Sequence, residues 1–240
     1  MTLLTICQNA ADEVGIERQS SIIGNPSPTA QKLLRYANKA GDALMKADNW
    51  QVLRKERTFS AVGAETQTSI FPSDFDRIIK ETFWNRSVPS LISGPASATE
   101  WQGLKATSYS GEAKFALRGD VVLLIPAPTA GQTLAFEYIS NQWCKSAGGS
   151  GQTAFAADTD VGILDEELIL RYLKLIYLTD EGLPNGVAAA EARDYRDALL
   201  KNDQPDARIL VSADIFNRSP RGQNQRHFSG VPAVNTQTSA

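Results

Sequence analysis

Catalysis or metal binding needs a few residue types held at fixed spacing, and this chain offers few candidates. It has one histidine, His227. A zinc site needs four ligands and a Ser-His-acid triad needs a rigidly held imidazole; His227, in a polar C-terminal stretch, meets neither need. Cys7 and Cys144 lie far apart without metal-ligand spacing, so they read as reduced thiols, Cys7 inside an apolar helical face. Carboxylates pair twice, Asp74 with Asp76 and Asp158 with Asp160. Such pairs can hold a divalent cation or share acid and base roles. Neither falls on a rigid element beside an apolar cleft, so structural roles are expected, with Asp158 and Asp160 capping and orienting the chain that enters a helix at Asp165. Gly148-Gly149-Ser150-Gly151 lacks the lysine and preceding apolar strand of a phosphate loop, and no Gly-x-Gly-x-x-Gly run opens a helix. No catalytic residue, metal ligand or cofactor is expected, and the chain reads as a non-enzyme.

The aromatic and basic residues point to assembly. Trp50, Trp84, Trp101 and Trp143 each stand apart from basic clusters, at ends of expected elements, where large aromatics close a core or an interface. The one locally basic run, Arg54-Lys55-Glu56-Arg57, is diluted by Glu56 and reads as a solvated strand edge or a subunit contact ahead of a DNA site. The net charge of −3, from 24 Lys and Arg against 27 Asp and Glu, opposes sequence-independent gripping of duplex DNA over a broad face. It is compatible with a conduit, whose wall must not hold a moving polyanion.

The elements that position these residues are readable from periodicity. Leu3, Leu4, Cys7, Ala10, Ala11 and Val14 share one helical face, closed by Gly15. Ser27 or Thr29 can cap a second helix with Pro28 in its first turn, its apolar face running from Leu33 to Ala47. From Trp50 the pattern changes. Residues 51–62 read as a strand, 71–77 as a turn with one helical turn, and 78–86 as a strand, with helix as the alternative. Ser97 and Glu100 form a capping box for a short helix to about Lys105. Strands over 114–118 and 121–125 flank a Gly119-Asp120 turn, and 132–140 alternates as a third. After a Gly/Ser loop at 147–152, a third helix opens at Asp165 with Glu166 and Glu167 in its first turn. A fourth runs from Asn185 or Gly186 to Asn202. Residues 165–206 carry ten acidic and five basic side chains, the whole negative excess.

The expected fold is α+β: a helical core of about four helices, a mostly antiparallel β-rich insertion and an extended C-terminal arm. Its parts are an N-terminal helical hairpin (1–50), the insertion (51–146), a loop with the C-terminal hairpin (147–206), and the arm (207–240). The arm has too few apolar anchors to fold alone, and Arg218, Arg221 and Arg226 make it basic. An acidic hairpin and a basic arm permit head-to-tail contacts between copies, which build rings when the rotation closes. No run approaches the ~18 apolar residues of a membrane span, so no membrane partner is expected. The N-terminus lacks a signal-peptide pattern.

Several segments carry a resemblance. They are Leu3-Leu4-Thr5-Ile6-Cys7-Gln8 with Ala11-Asp12-Glu13-Val14-Gly15-Ile16; Ala47-Asp48-Asn49-Trp50-Gln51-Val52-Leu53; and Phe71-Pro72-Ser73-Asp74-Phe75-Asp76-Arg77. Glu137-Tyr138-Ile139-Ser140, Ala157-Asp158-Thr159-Asp160, Leu164-Asp165-Glu166-Glu167-Leu168 and Tyr195 continue it. In this order they resemble the head-to-tail adaptor (head–tail connector, neck) proteins of tailed bacteriophages, over roughly residues 2–202. The resemblance implies a helical core interrupted by a β-rich insertion. It also implies a homo-oligomeric ring of about twelve copies beneath the portal protein, extending the DNA channel towards a tail or nozzle protein. Viral DNA would pass through the lumen transiently and non-specifically during genome ejection. Such a chain is made in the host cytoplasm and built into the virion neck. The family has no catalytic residues to carry over. Trp50, Phe75, Trp101, Trp143, Tyr172 and Tyr195 become structural or interface positions, and Arg218, Arg221, Arg226 and Phe228 a portal-docking arm. The alternatives are a tail-tube or tail-completion component, a DNA-packaging accessory protein, and a metal-dependent hydrolase built on Asp74 or Asp158.

Overall fold

Apolar residues three and four apart turn both ends of the chain into helices, and alternation turns its middle into sheet. The computed structural model describes residues 1–107 and 109–203. Met1–Leu200 form one compact unit, and Lys201–Asp203 finish the last helix. The helices are α1 (Leu3–Val14), α2 (Pro28–Ala47), α3 (Ala98–Ala106), α4 (Glu166–Asp180) and α5 (Gly186–Asp203). Between α2 and α4 lie β1 (Arg54–Ser60), β2 (Thr66–Gln67), β3 (Phe75–Ile78), β4 (Trp84–Asn85), β5 (Ser90–Leu91), β6 (Lys114–Arg118) and β7 (Val121–Ile125). β8 (Thr133–Ser140), β9 (Cys144–Lys145), β10 (Gly151–Gln152) and β11 (Val161–Gly162) complete the set. The fold is α+β with antiparallel sheets.

Local signals end the helices where the sequence places them. Thr2 Oγ1 accepts from the Thr5 amide at the start of α1, and Gly15, at φ 72°, takes the left-handed conformation that closes it. Ser97 caps α3 through the Glu100 amide, and Asp165 caps α4 through the Leu168 amide. Among the described residues, no helix is long and apolar enough to cross a membrane.

Helices from both chain ends close one core. Polar contacts fix their directions: the ion pairs of Met1 with Glu166 and Lys174 with Glu13 run α1 parallel to α4, while the ion pair of Lys32 with Glu181 and the hydrogen bond that the Tyr36 hydroxyl donates to Asp180 set α2 antiparallel. Leu3, Ile6, Leu33, Leu44, Leu168 and Leu173 fill the interior together with Trp143 and Phe155. A second core lies inside the β module, built on Phe83, Phe115, Leu134 and Phe136. Leu53 and Ile139, from the module's side of the chain, are buried in the helical core. Arg77 also fastens the two parts: its guanidinium donates to the Asp48 carbonyl at 2.7 Å and the Asn49 side chain at 3.1 Å.

Four local expectations are corrected. The segment 51–62 is not one strand, because Gln51–Leu53 form a 3-10 turn that delivers Leu53 into the core before β1 begins. Residues 71–77 contain no helical turn; Phe75–Ile78 pair with β8. Residues 78–86 are neither one strand nor a helix, since a turn with Glu81 at φ 63° separates β3 from β4. Asp158 and Asp160 do not cap the helix that Asp165 caps. The Asp158 carboxylate accepts from the Ile22 and Ile23 amides at 3.1 and 2.8 Å, and Asp160 accepts from the Ala156 and Ala157 amides at 2.7 and 2.8 Å. The Asp160 carbonyl meets the Leu3 amide at 2.8 Å. This loop therefore ties the start of α1 and the α1–α2 connection together.

Removing that tie has a stated cost. Asp158→Ala leaves two partly buried amides without their acceptor and lowers unfolding free energy by about 1–3 kcal/mol in urea titrations. Asp158→Asn, which keeps one carbonyl oxygen, recovers part of the loss; an alanine variant as stable as the parent refutes the role.

Candidate interaction surface

β8 runs through the centre of the five-stranded sheet, with β1 along one flank and β3 and β4 sharing the other. Its period of two sends Leu134, Phe136 and Tyr138 into the module core and Ala135 and Glu137 to the opposite face. Across the ladder Glu56 faces Glu137, Thr58 faces Ala135, and Trp84 faces Ala135 from the other side. On this outer face Trp84 is 45% exposed and Glu56 and Thr58 are exposed, Glu137 is half-buried, and Ala135 between them is buried.

Two carboxylates opposite one another repel, and each has a compensating cation. Arg86 grips Glu56 with both terminal nitrogens, at 3.1 and 2.6 Å, and this bond holds the Glu56 carboxyl below its ordinary pKa. Arg54 stands 3.7 Å from Glu137. Between β3 and β4 the ladder is interrupted. There the Glu137 amide donates to Thr82 Oγ1 at 3.1 Å, and its carbonyl accepts from the Ile79 amide at 2.9 Å. A cleft of about 510 Å³ opens over this gap, with Trp84, Pro89 and Thr82 beside Glu56, Glu81 and Glu137. Glu81 makes no hydrogen bond or ion pair with any described residue.

β1 is an open edge. The Ala61 amide bonds the Gln132 carbonyl at 2.8 Å, and alternation from that pair turns the backbone groups of Glu56, Thr58 and Ser60 away from β8. The basic run 54–57 lies on this edge, where charge discourages edge-to-edge pairing.

The residues singled out from sequence do not converge on one site. Trp50 is interior and donates from Nε1 to the Leu44 carbonyl at 2.8 Å. Trp143 is interior to the helical core, edge-on to Phe155 with centroids 4.9 Å apart. Trp101 lies buried beneath α3 against Ala116 and Leu123. Phe75 is half-buried and stacked on Phe71 at 4.2 Å. Tyr172 and Tyr195 sit half-buried at the α4–α5 hairpin, where the Arg171 guanidinium lies 4.8 Å above the Tyr195 ring. Tyr172 and Asp48 both hold Arg196. Arg218, Arg221, Arg226 and Phe228, with His227, lie outside the described residues.

The acid-base candidates are likewise dispersed. Asp76 pairs with Arg77 at 2.6 Å, while Asp74 is buried and bonded by Lys55, Tyr138 and Ser140. Among the described residues no group of three or more His, Cys, Asp or Glu could hold a metal ion. Burial pushes both thiols up to about 12, helped by Asp158 beside Cys7 and Asp160 beside Cys144, so neither is poised as a nucleophile. On the acidic hairpin, Glu167 pairs with Arg171, Glu181 with Lys32 and Glu191 with Lys174, leaving Asp194 and Asp197 exposed on α5.

Sequence reasoning grouped Trp84 with three tryptophans that prove to be interior. The distinguishing signal was its neighbour: in a strand, Phe83 and Trp84 must face opposite sides, and only one can enter the core. Compared with known proteins, the sequence matches no protein-family model and no curated protein, so functional reasoning rests on the residues themselves.

Proposed function

We propose that this chain is a structural protein of a tailed-bacteriophage virion, a head-to-tail adaptor that forms a ring beneath the portal, extends the DNA channel and offers the tail its attachment surface. The observation that supports this best is chain order. α1 and α2, before the β module, and α4, after it, close a single core, so the module is an insertion carried by a helical body. That is the arrangement the resemblance implies. Arg77, Leu53 and Ile139 bind module to body, as a load-bearing ring subunit requires. The acidic excess of the α4–α5 hairpin suits a channel wall, since a basic wall would retain DNA.

Negative-stain microscopy of the purified chain, alone and mixed with a portal protein from the same genome, tests the assignment. Monomers alone and rings on the portal are expected. Failure to join the portal overturns the adaptor role, and tubes or rings formed without it favour a tail-tube or tail-completion component.

A further inference from the structure

The outer face of the five-stranded sheet has a chemistry that the ring role does not use. Its cleft combines an exposed indole with three carboxylates, and Arg86 is the cation that lines it among the described residues. Glu56 is already satisfied by Arg86. Glu137 is paired with Arg54 at 3.7 Å, and Glu81 is unpaired among the described residues. An indole face beside one carboxylate without a partner among the described residues attracts a cation twice, through the ring quadrupole and through charge. It repels nucleic acid and acidic peptides for the same reason.

Spacing narrows the occupant further. Trp84 stands beside Ala135, and Glu137 lies two residues further along β8, about 7 Å at the rise of a strand. Alternate side chains of an extended peptide repeat at that same distance. We infer that this face docks an extended basic segment of a partner protein, one cationic side chain lying over Trp84 and the next but one meeting Glu137 and Glu81.

The inference does not rest on the adaptor reading and is tested on the isolated full chain. The probe is the peptide acetyl-Gly-Arg-Ser-Arg-Gly-amide, titrated calorimetrically at low salt. Its control carries citrulline, neutral and nearly isosteric, at both arginine positions. Saturable binding of the arginine peptide is expected, with loss of binding for the citrulline peptide. Trp84→Ala should weaken it by about tenfold. Glu81→Gln, at an exposed position that is unpaired among the described residues, tests the same site without touching the fold and should also weaken binding. Arginine-peptide affinity unchanged in both variants, or equal affinity for the citrulline peptide, overturns the inference. So does self-association of the chain that Trp84→Ala abolishes without any peptide binding, which would make a second copy the occupant.

Discussion

Gly41→Ala lowers the stability of this chain by about 2 kcal/mol, although alanine is the better helix former. Gly41 lies inside the 20-residue helix α2, where glycine alone costs about 1 kcal/mol relative to alanine. A Cβ at this position would clash with the six-membered ring of Trp143, lying far inside van der Waals distance of Cζ3, Cε3 and Cη2. The indole cannot step aside: it is 1% exposed, sits among the helical core and is held edge-on by Phe155. Overpacking a tight interior costs about 1–3 kcal/mol, and a rigid planar neighbour puts this site at the upper end, offset by the gain in helix propensity. Trp143→Ala alone removes the indole and costs about 3–5 kcal/mol through lost burial and the cavity left behind. The double variant decides the matter. With the indole gone, alanine at 41 meets no obstacle and restores helix propensity, so Gly41→Ala on the Trp143→Ala background should stabilise. The coupling measured by urea unfolding of the four proteins should then be about 3 kcal/mol. Additive effects would mean that the glycine serves something other than close approach of the indole.

The same pair shows what sequence can and cannot carry. α1, α2, α4 and α5 were legible because a helix writes its buried face at intervals of three and four and its ends in Gly15, Ser97-type caps and Asp165. The β6–β7 hairpin was legible because Gly119-Asp120 suits its turn. β3 and β4 were not. They are four and two residues long, and they exist because β8 offers them a ladder, a fact written in residues 133–140. Gly41 carried no local signal, since its reason is a tryptophan a hundred residues on, just after β8. Asp158 was misassigned for a related cause: it lies beside α4 in sequence but bonds amides 136 and 135 residues earlier. Trp84 sits between these cases. Its exposure followed from Phe83 next door once a strand was assumed, but the segment alone left strand and helix open.

Asp74 makes the last and most pH-sensitive prediction. Its carboxylate, 8% exposed, accepts from Tyr138 Oη at 3.0 Å, Ser140 Oγ at 2.9 Å and Lys55 Nζ at 2.6 Å. One side chain thus joins β1, the entry to β3 and the end of β8. Burial pushes this carboxyl up, but the bonds from Lys55, Ser140 and Tyr138 outweigh it and hold the pKa below its ordinary value. Tyr138, raised to about 12 by burial and by Asp74, remains a donor throughout the acid and neutral range. Asp74→Ala leaves two buried hydroxyls and the lysine without their acceptor and should cost about 3–4 kcal/mol at pH 7. Asp74→Asn keeps an acceptor for Tyr138 but loses the charge and the second oxygen that accepts from Lys55 and Ser140, at about 1–3 kcal/mol. Because the folded pKa is depressed, the folded state binds fewer protons than the unfolded chain. The charge therefore contributes fully above the unfolded value of about 3.9, and its contribution fades as pH falls through the lower folded value. Urea unfolding of the parent and Asp74→Asn should show a constant stability gap from pH 7 to about 5 that narrows below about pH 4. A gap that stays constant to the acid limit would assign the whole effect to shape and hydrogen bonding, leaving the carboxylate charge no part in holding the sheet together.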